Sequence, residues 1–278
     1  MSVLENHNMF RITGESEVTF ENCVLQSEFP SNEYFLLLSE EKSKVNFKNF
    51  TTKLPDKHQL GMKFVHSAVS IQDSTIQNRL WIRENSELEF VRSKMECSRP
   101  KSVWSEDSKL TIISSQIYGT FEEGTNPVLD LNQSEINLED SIVEGVGTNY
   151  YTILLQSGSR GVFKNLTVSF MRIKNSHIRM VNGFVKHNLA IAEESTLYSQ
   201  GRLHFLNKES RHIPISLTTN AVFVGDSIEV EKEISPIIRA KEGSCFVTND
   251  FIHLNGDATK LNYETDETSQ CRVAQKHK

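Results

Sequence analysis

A chain of 278 residues with 37% hydrophobic and 24% charged residues holds enough apolar material for one large folded unit or two ordinary ones, and no composition shift divides it. Its formal charge of -6 argues against a nucleic-acid partner, because neutralising phosphates needs a basic stripe that the sequence lacks. The opening MSVLENHNMFRITG has neither the basic nor the apolar region of a secretory signal, and no window approaches the roughly 18 apolar residues of a membrane span, so the expectation is a cytoplasmic protein without a membrane partner.

The elements, in chain order, are copies of one phrase. The clear copies open on a serine and place apolar residues at every second position, and most then set Asn or Asp ahead of one more apolar position. The phrase reads SEVTFENCVLQ from Ser16, SKVNFKNFTTK from Ser43, SAVSIQDSTIQ from Ser67, SELEFVRSKME from Ser86, SKLTIISSQIY from Ser108 and SEINLEDSIVE from Ser134. Looser copies follow near Ser159 or Ser169, near His187, at Asn220 and at Gly243, which makes ten. Alternation of Val18 with Phe20, Val45 with Phe47 and Leu88 with Phe90 is the period-2 mark of a strand with one buried face. A second apolar run often precedes the phrase, as at 35–38, 79–82, 128–131 and 152–155, so each unit holds at least two short strands joined by polar corners. A unit this small cannot bury its own apolar face, and a repeat period between about 20 and 50 residues signals stacked copies that bury it together.

This pattern resembles the right-handed parallel β-helix of the pectate-lyase-like superfamily, an all-β solenoid of about ten coils here. The resemblance is one of repeat pattern and covers nearly the whole chain. It implies parallel strands about 4.8 Å apart, with corresponding residues of successive copies stacked in columns. The Asn or Asp of Asn22-Cys23, Asp73-Ser74, Asp140-Ser141, Asn175-Ser176 and Asp226-Ser227 is expected at a bend, where those residue types tolerate unusual dihedrals. Residues 1–254 form the coil, the first fifteen residues offering a cap, and residues 255–278 read as a polar tail. An uncapped end would have to meet a partner or another copy of the chain.

Carbohydrate lyases and hydrolases are the best-known occupants of this fold, so the resemblance raises an enzymatic possibility. Of the motifs that polygalacturonase-type enzymes resemble one another in, only Arg172-Ile173-Lys174 is present. Glycoside cleavage requires two cooperating carboxylates, and Asp107, Asp130 and Asp140 come from neighbouring units. Their simplest role is at corners and on the surface. The histidines have no HxH or HExxH spacing and the four cysteines no CxxC, so no metal, cofactor or catalytic residue is expected.

Surface columns carry more information. If the apolar positions point inward, Glu17, Lys44, Ala68, Glu87, Lys109, Glu135 and Arg160 stack outside, beside a companion column of Glu21, Lys48, Gln72, Val91, Ile113, Glu139 and Lys164. The signs alternate, which suits a solvated or self-complementary face better than a polyanion track. Toward the C-terminus the outward positions turn apolar at Val162, Ala190, Ala192, Ala221, Phe223 and Phe246, a candidate protein-binding strip. Trp81 and Trp104 are candidate sugar-stacking platforms. The expected function is a non-catalytic scaffold that binds another protein or self-associates through its outer face. A carbohydrate-binding or carbohydrate-cleaving protein is the alternative.

Overall fold

The computed structural model describes residues 9–26, 35–53, 61–98, 101–120, 126–145, 151–206, 213–231, 236–253 and 263–273. They form a parallel β-solenoid without a helix, so among them no helix is long and apolar enough to cross a membrane. One turn shows the plan. Met62–Val65 lies in a first sheet, Ala68–Gln72 in a second and Thr75–Ile76 in a third, each hydrogen-bonded in parallel to its counterparts in the turns before and after.

In the second sheet one register line runs through Glu17, Lys44, Ala68, Glu87, Lys109, Glu135, Arg160, His177, Thr196, Val222, Cys245 and Gln270, twelve levels rather than the ten expected. At about 4.8 Å per level the rod is on the order of 50 Å long. Two sequence expectations are corrected at its ends. Tyr263–Thr265 and Gln270–Val273 pair in register with Ile238–Ala240 and with Cys245–Thr248, so the coil continues past residue 254. Asp266, Thr268 and Ser269 receive the backbone N–H groups of Glu242, Gly243 and Ser244 at 2.6, 2.9 and 3.1 Å. At the other end Phe10–Ile12, within the expected cap, is an ordinary first-sheet strand paired with Leu37–Ser39, and residues 1–8 lie outside the described residues.

Two of the three corners are tight, and one backbone feature makes them so. Between the second and third sheets a single residue takes the left-handed conformation: Asn22, Asn49, Asp73, Arg92, Ser114, Asp140, Asn165 and Asn182, with φ between 46° and 54°. Asn and Asp suit this conformation because their short polar side chains bond local backbone. Arg92 and Ser114 are the departures from type, and Asp73 below Arg92 accepts two bonds from its guanidinium at 2.8 and 2.7 Å. Between the first and second sheets the corner has one left-handed residue (His66, Asp107, Gln133, Asn175) or two in succession (Glu41 and Lys42, Glu84 and Asn85, Glu193 and Glu194, Thr219 and Asn220). The expected bend therefore holds at Asn22, Asp73, Asp140 and Asn175, whereas Asp226 sits inside the strand Val222–Val230. The third corner takes up most of the irregular spacing of the repeat, from residues 77–79 in one turn to residues 120–128 in another.

The residue after each left-handed corner points inward, and there serine has a structural task. Ser67, Ser86, Ser108 and Ser134 are buried, and each accepts the N–H of the previous level or supplies its own to the next: Ser67 to Ser86 at 3.0 Å, Ser86 to Ser108 at 3.3 Å, Ser108 to Ser134 at 3.4 Å and Ser134 to Ser159 at 3.1 Å. Each hydroxyl in turn donates to a carbonyl of its own corner, as Ser86 does to Arg83 at 2.6 Å. A second ladder joins Ser74, Ser93, Ser115 and Ser141 at the other tight corner. Corners remove backbone groups from the strand ladders, and a buried N–H without an acceptor is costly. Ala221 interrupts the first ladder, leaving the Ser195 N–H without a hydroxyl above it. Ala221→Ser is therefore expected to raise stability by about 0.5–1.5 kcal/mol, read as a higher urea midpoint at unchanged slope.

Volume inside the coil is balanced between the two inward columns of the second sheet. Where one column carries Phe223 and Phe246, stacked at 4.8 Å with planes 10° apart, the other carries Gly225 and Thr248. A Cβ on Gly225 would lie 2.7 Å from the Phe223 ring.

Candidate functional site: the outer face of the second sheet

Inward residues of the second sheet occupy alternate positions, which leaves three outward columns, and two of these form banks with the backbone of the inward column as a floor between them. One bank is Lys44, Ala68, Glu87, Lys109, Glu135, Arg160, His177 and Thr196, and the other is Asn46, Ser70, Glu89, Thr111, Asn137, Val162, Arg179 and Tyr198. Between them lie two hollows of about 410 and 300 Å³ that share Lys109 and Thr111, which makes one trough along the rod axis. The larger hollow has Gly161 in its floor, where the neighbouring Ile178, Phe163 and Ile136 side chains fill the interior beneath.

The banks change chemistry along the rod. Lys44, Glu87, Lys109, Glu135 and Arg160 alternate in sign, and Asn46 donates to Glu17 at 3.2 Å across levels. Further on, His177 bonds Thr196 at 2.7 Å and Arg179 donates to Gln200 at 3.0 Å. Beyond them the face is apolar: Tyr198 is 55% exposed and Val224 36% exposed, with Val222, Cys245 and Val247 half-buried beside them.

The expected apolar strip is only partly there. Val162 is outward and 39% exposed. Ala190 and Ala192 are on the first sheet, half-buried and buried. Ala221, Phe223 and Phe246 are in the core, which corrects their outward placement. The cause is the two-residue corner: Thr219 and Asn220, like Glu242 and Gly243, are both left-handed, so the repeat restarts one residue later than the copies from Asn220 and Gly243 suggest. A one-residue slip exchanges every inward and outward position. Val222 and Val224, not Ala221 and Phe223, face outward.

Trp81 and Trp104 stack level on level in the first sheet, but edge to face, with centroids 5.2 Å apart and planes at 76°. Phe35 meets Trp81 at 5.0 Å, and Arg83 and Lys101 each lie 5.2 Å from the Trp104 centroid. Flat sugar stacking needs an open indole face, and these faces already carry aromatic edges and cations. Lys101 also reaches Asp130, at 2.7 Å, and Gln156 donates to the same carboxylate at 3.0 Å. Asp130 is on the outside of the first sheet, Asp107 at one tight corner and Asp140 at the other, so the three do not converge. Arg172 packs on Tyr151 at 5.1 Å and Lys174 pairs with Glu193 at 3.1 Å, which places that tripeptide in local surface contacts.

Among the described residues no three His, Cys, Asp or Glu side chains are grouped to hold a metal ion, and Cys23, Cys97, Cys245 and Cys271 are free thiols. Burial, with the neighbouring Cys245, pushes the Cys271 thiol up to about 11. The thiolate is the reactive species, so Cys271 is expected to alkylate with iodoacetamide at pH 8 about a hundredfold more slowly than an unperturbed cysteine. Peptide mass spectrometry over a time course measures this directly.

Comparison with known protein families, characterised proteins and solved structures returns no match for this chain.

Proposed function

We propose that this chain is a non-catalytic scaffold that docks another protein on the outer face of its second sheet, within a coil of the right-handed pectate-lyase-like type. The observation that supports the reading is the trough that leads into the exposed Tyr198 and Val224 surface, an apolar area on a stiff parallel ladder. Rigid support lowers the ordering cost of binding, since the surface is already in its bound form. Mixed charges along the banks would set register and orientation, with the apolar area supplying contact energy. A carbohydrate ligand on Trp81 and Trp104 has less support, because their ring faces are engaged with Phe35, Arg83 and Lys101.

Photo-crosslinking tests the proposal. A photoreactive residue at Val224, irradiated in extract of the source cell, is expected to give a discrete protein adduct, while one at Lys94 on the third sheet gives none. Tyr198→Glu should abolish the Val224 adduct without moving the thermal unfolding midpoint. Equal labelling from both sheets, or no adduct from either, would defeat the reading.

A further inference from the structure

The inner levels of the coil have hydrogen-bonded neighbours on both sides; among the described residues the end levels do not. Phe10–Ile12, Glu17–Glu21 and Val24–Gln26 pair only with the second level, and Tyr263–Thr265 and Gln270–Val273 only with the eleventh, among the described residues. The two edges are complementary. Lys44 donates back to Ser16 and Gln270 back to Ser244, so the same positions of the first level, Glu17 and Thr19, point their backbone groups off one end, while Cys271 and Val273 point theirs off the other. Among the described residues the core is also less sealed at both ends. Val18 and Phe20 are half-buried where Val45 and Phe47 above them are sealed, Phe10 is 37% exposed, and Tyr263 at the far end is 50% exposed.

Extending the register by one level places Tyr263 over Phe10, Glu264 over Arg11, Gln270 over Glu17, Cys271 over Val18, Arg272 over Thr19 and Val273 over Phe20. The inward pairs Tyr263–Phe10, Cys271–Val18 and Val273–Phe20 bring together apolar residues and a cysteine, and Thr265 meets Ile12. In the outward column Glu264, held by Arg239 at 2.8 Å and Lys241 at 2.6 Å, would meet Arg11, so the sequence of charges reads Arg239, Glu264, Arg11 across the junction. No like charges face one another in these strand columns. We propose that the chain stacks head to tail with further copies of itself, the last level of one copy pairing as the next parallel level beneath Phe10–Glu21 of another. The two surfaces differ, so the contact is heterologous and does not close, and the product is an open filament. This surface is separate from the second-sheet face.

Sedimentation velocity and negative-stain microscopy of the full chain test the proposal over about 1–200 µM. Unaltered protein is expected to form rods in length multiples of on the order of 50 Å. Arg11→Glu and Glu264→Arg should each raise the assembly concentration at least tenfold, and the double exchange should return it to within about threefold of the original. Thr19→Pro gives a check independent of charge. Its N–H faces off the end, where proline is tolerated in an edge strand, so melting should stay unchanged while stacking is lost. A monomer at all concentrations, or rods unaffected by Thr19→Pro and by both charge variants, would overturn the proposal. Rods lost in Val224→Glu but kept in Thr19→Pro would assign self-association to the outer face instead.

Discussion

Phe223→Ala is expected to cost about 3–5 kcal/mol, whereas Val224→Ala beside it costs about 0.5 kcal/mol or less. Phe223 is fully buried and stacks on Phe246 at 4.8 Å, while Val224 faces water. Truncation loses the transfer free energy of the ring and also leaves a cavity, because the walls are hydrogen-bonded at every level and have little room to collapse. Gly225 cannot make up the volume without a matching side chain of its own, and Ala at that position alone clashes with the ring. Urea unfolding of the two variants decides the matter. Equal small losses would mean that Phe223 lies outside the coil and that the register of the last three levels is wrong.

Removing one rung of the serine ladder should have the next largest effect. Ser134 accepts from the Ser108 N–H at 3.4 Å and the Ser105 hydroxyl at 2.9 Å, and donates to the Asn132 carbonyl at 2.8 Å. Ser134→Ala is expected to destabilise the fold by about 1–3 kcal/mol, because buried polar groups on two levels lose a partner together. Ser16→Ala, at an exposed corner of the first level, serves as the comparison and should cost less. The distinguishing measurement is hydrogen exchange. In Ser134→Ala the amide of Ser108 should exchange faster than its neighbours, while a uniform change along the rod would argue that serine acts only through turn propensity.

The coil was legible because its strands alternate cleanly. Glu17 through Arg160 and Glu21 through Lys164, assigned to two outward columns from spacing alone, are register lines of the second sheet. The column between them, Asn46 to Tyr198, forms the other bank of the trough and gives the weaker sequence signal, since it is mostly uncharged. The misplaced Phe223 and Phe246 have a definite cause. Corners of one and of two left-handed residues look alike in a sequence of Thr, Asn, Glu and Gly, yet they place the following strand on opposite parity. Apolar content gives no warning when both faces are apolar, as at 221–225. The residues from 263 escaped detection because a strand of Tyr-Glu-Thr has little hydrophobic signal, and its membership in the coil rests on cross-level bonds to Ile238–Ala240 and Glu242.

Concentrating length variation in the third corner gives the molecule a seam along which it can be altered. A loop lengthened between residues 119 and 129 changes neither the phase of the strands nor the ladders at the other corners, since the chain re-enters at the same point of the next level. Insertions elsewhere would invert whole strands. Decoration, tagging and the acquisition of new specificity are thus confined to a single longitudinal line of attachment, leaving the remaining sides of the prism fixed.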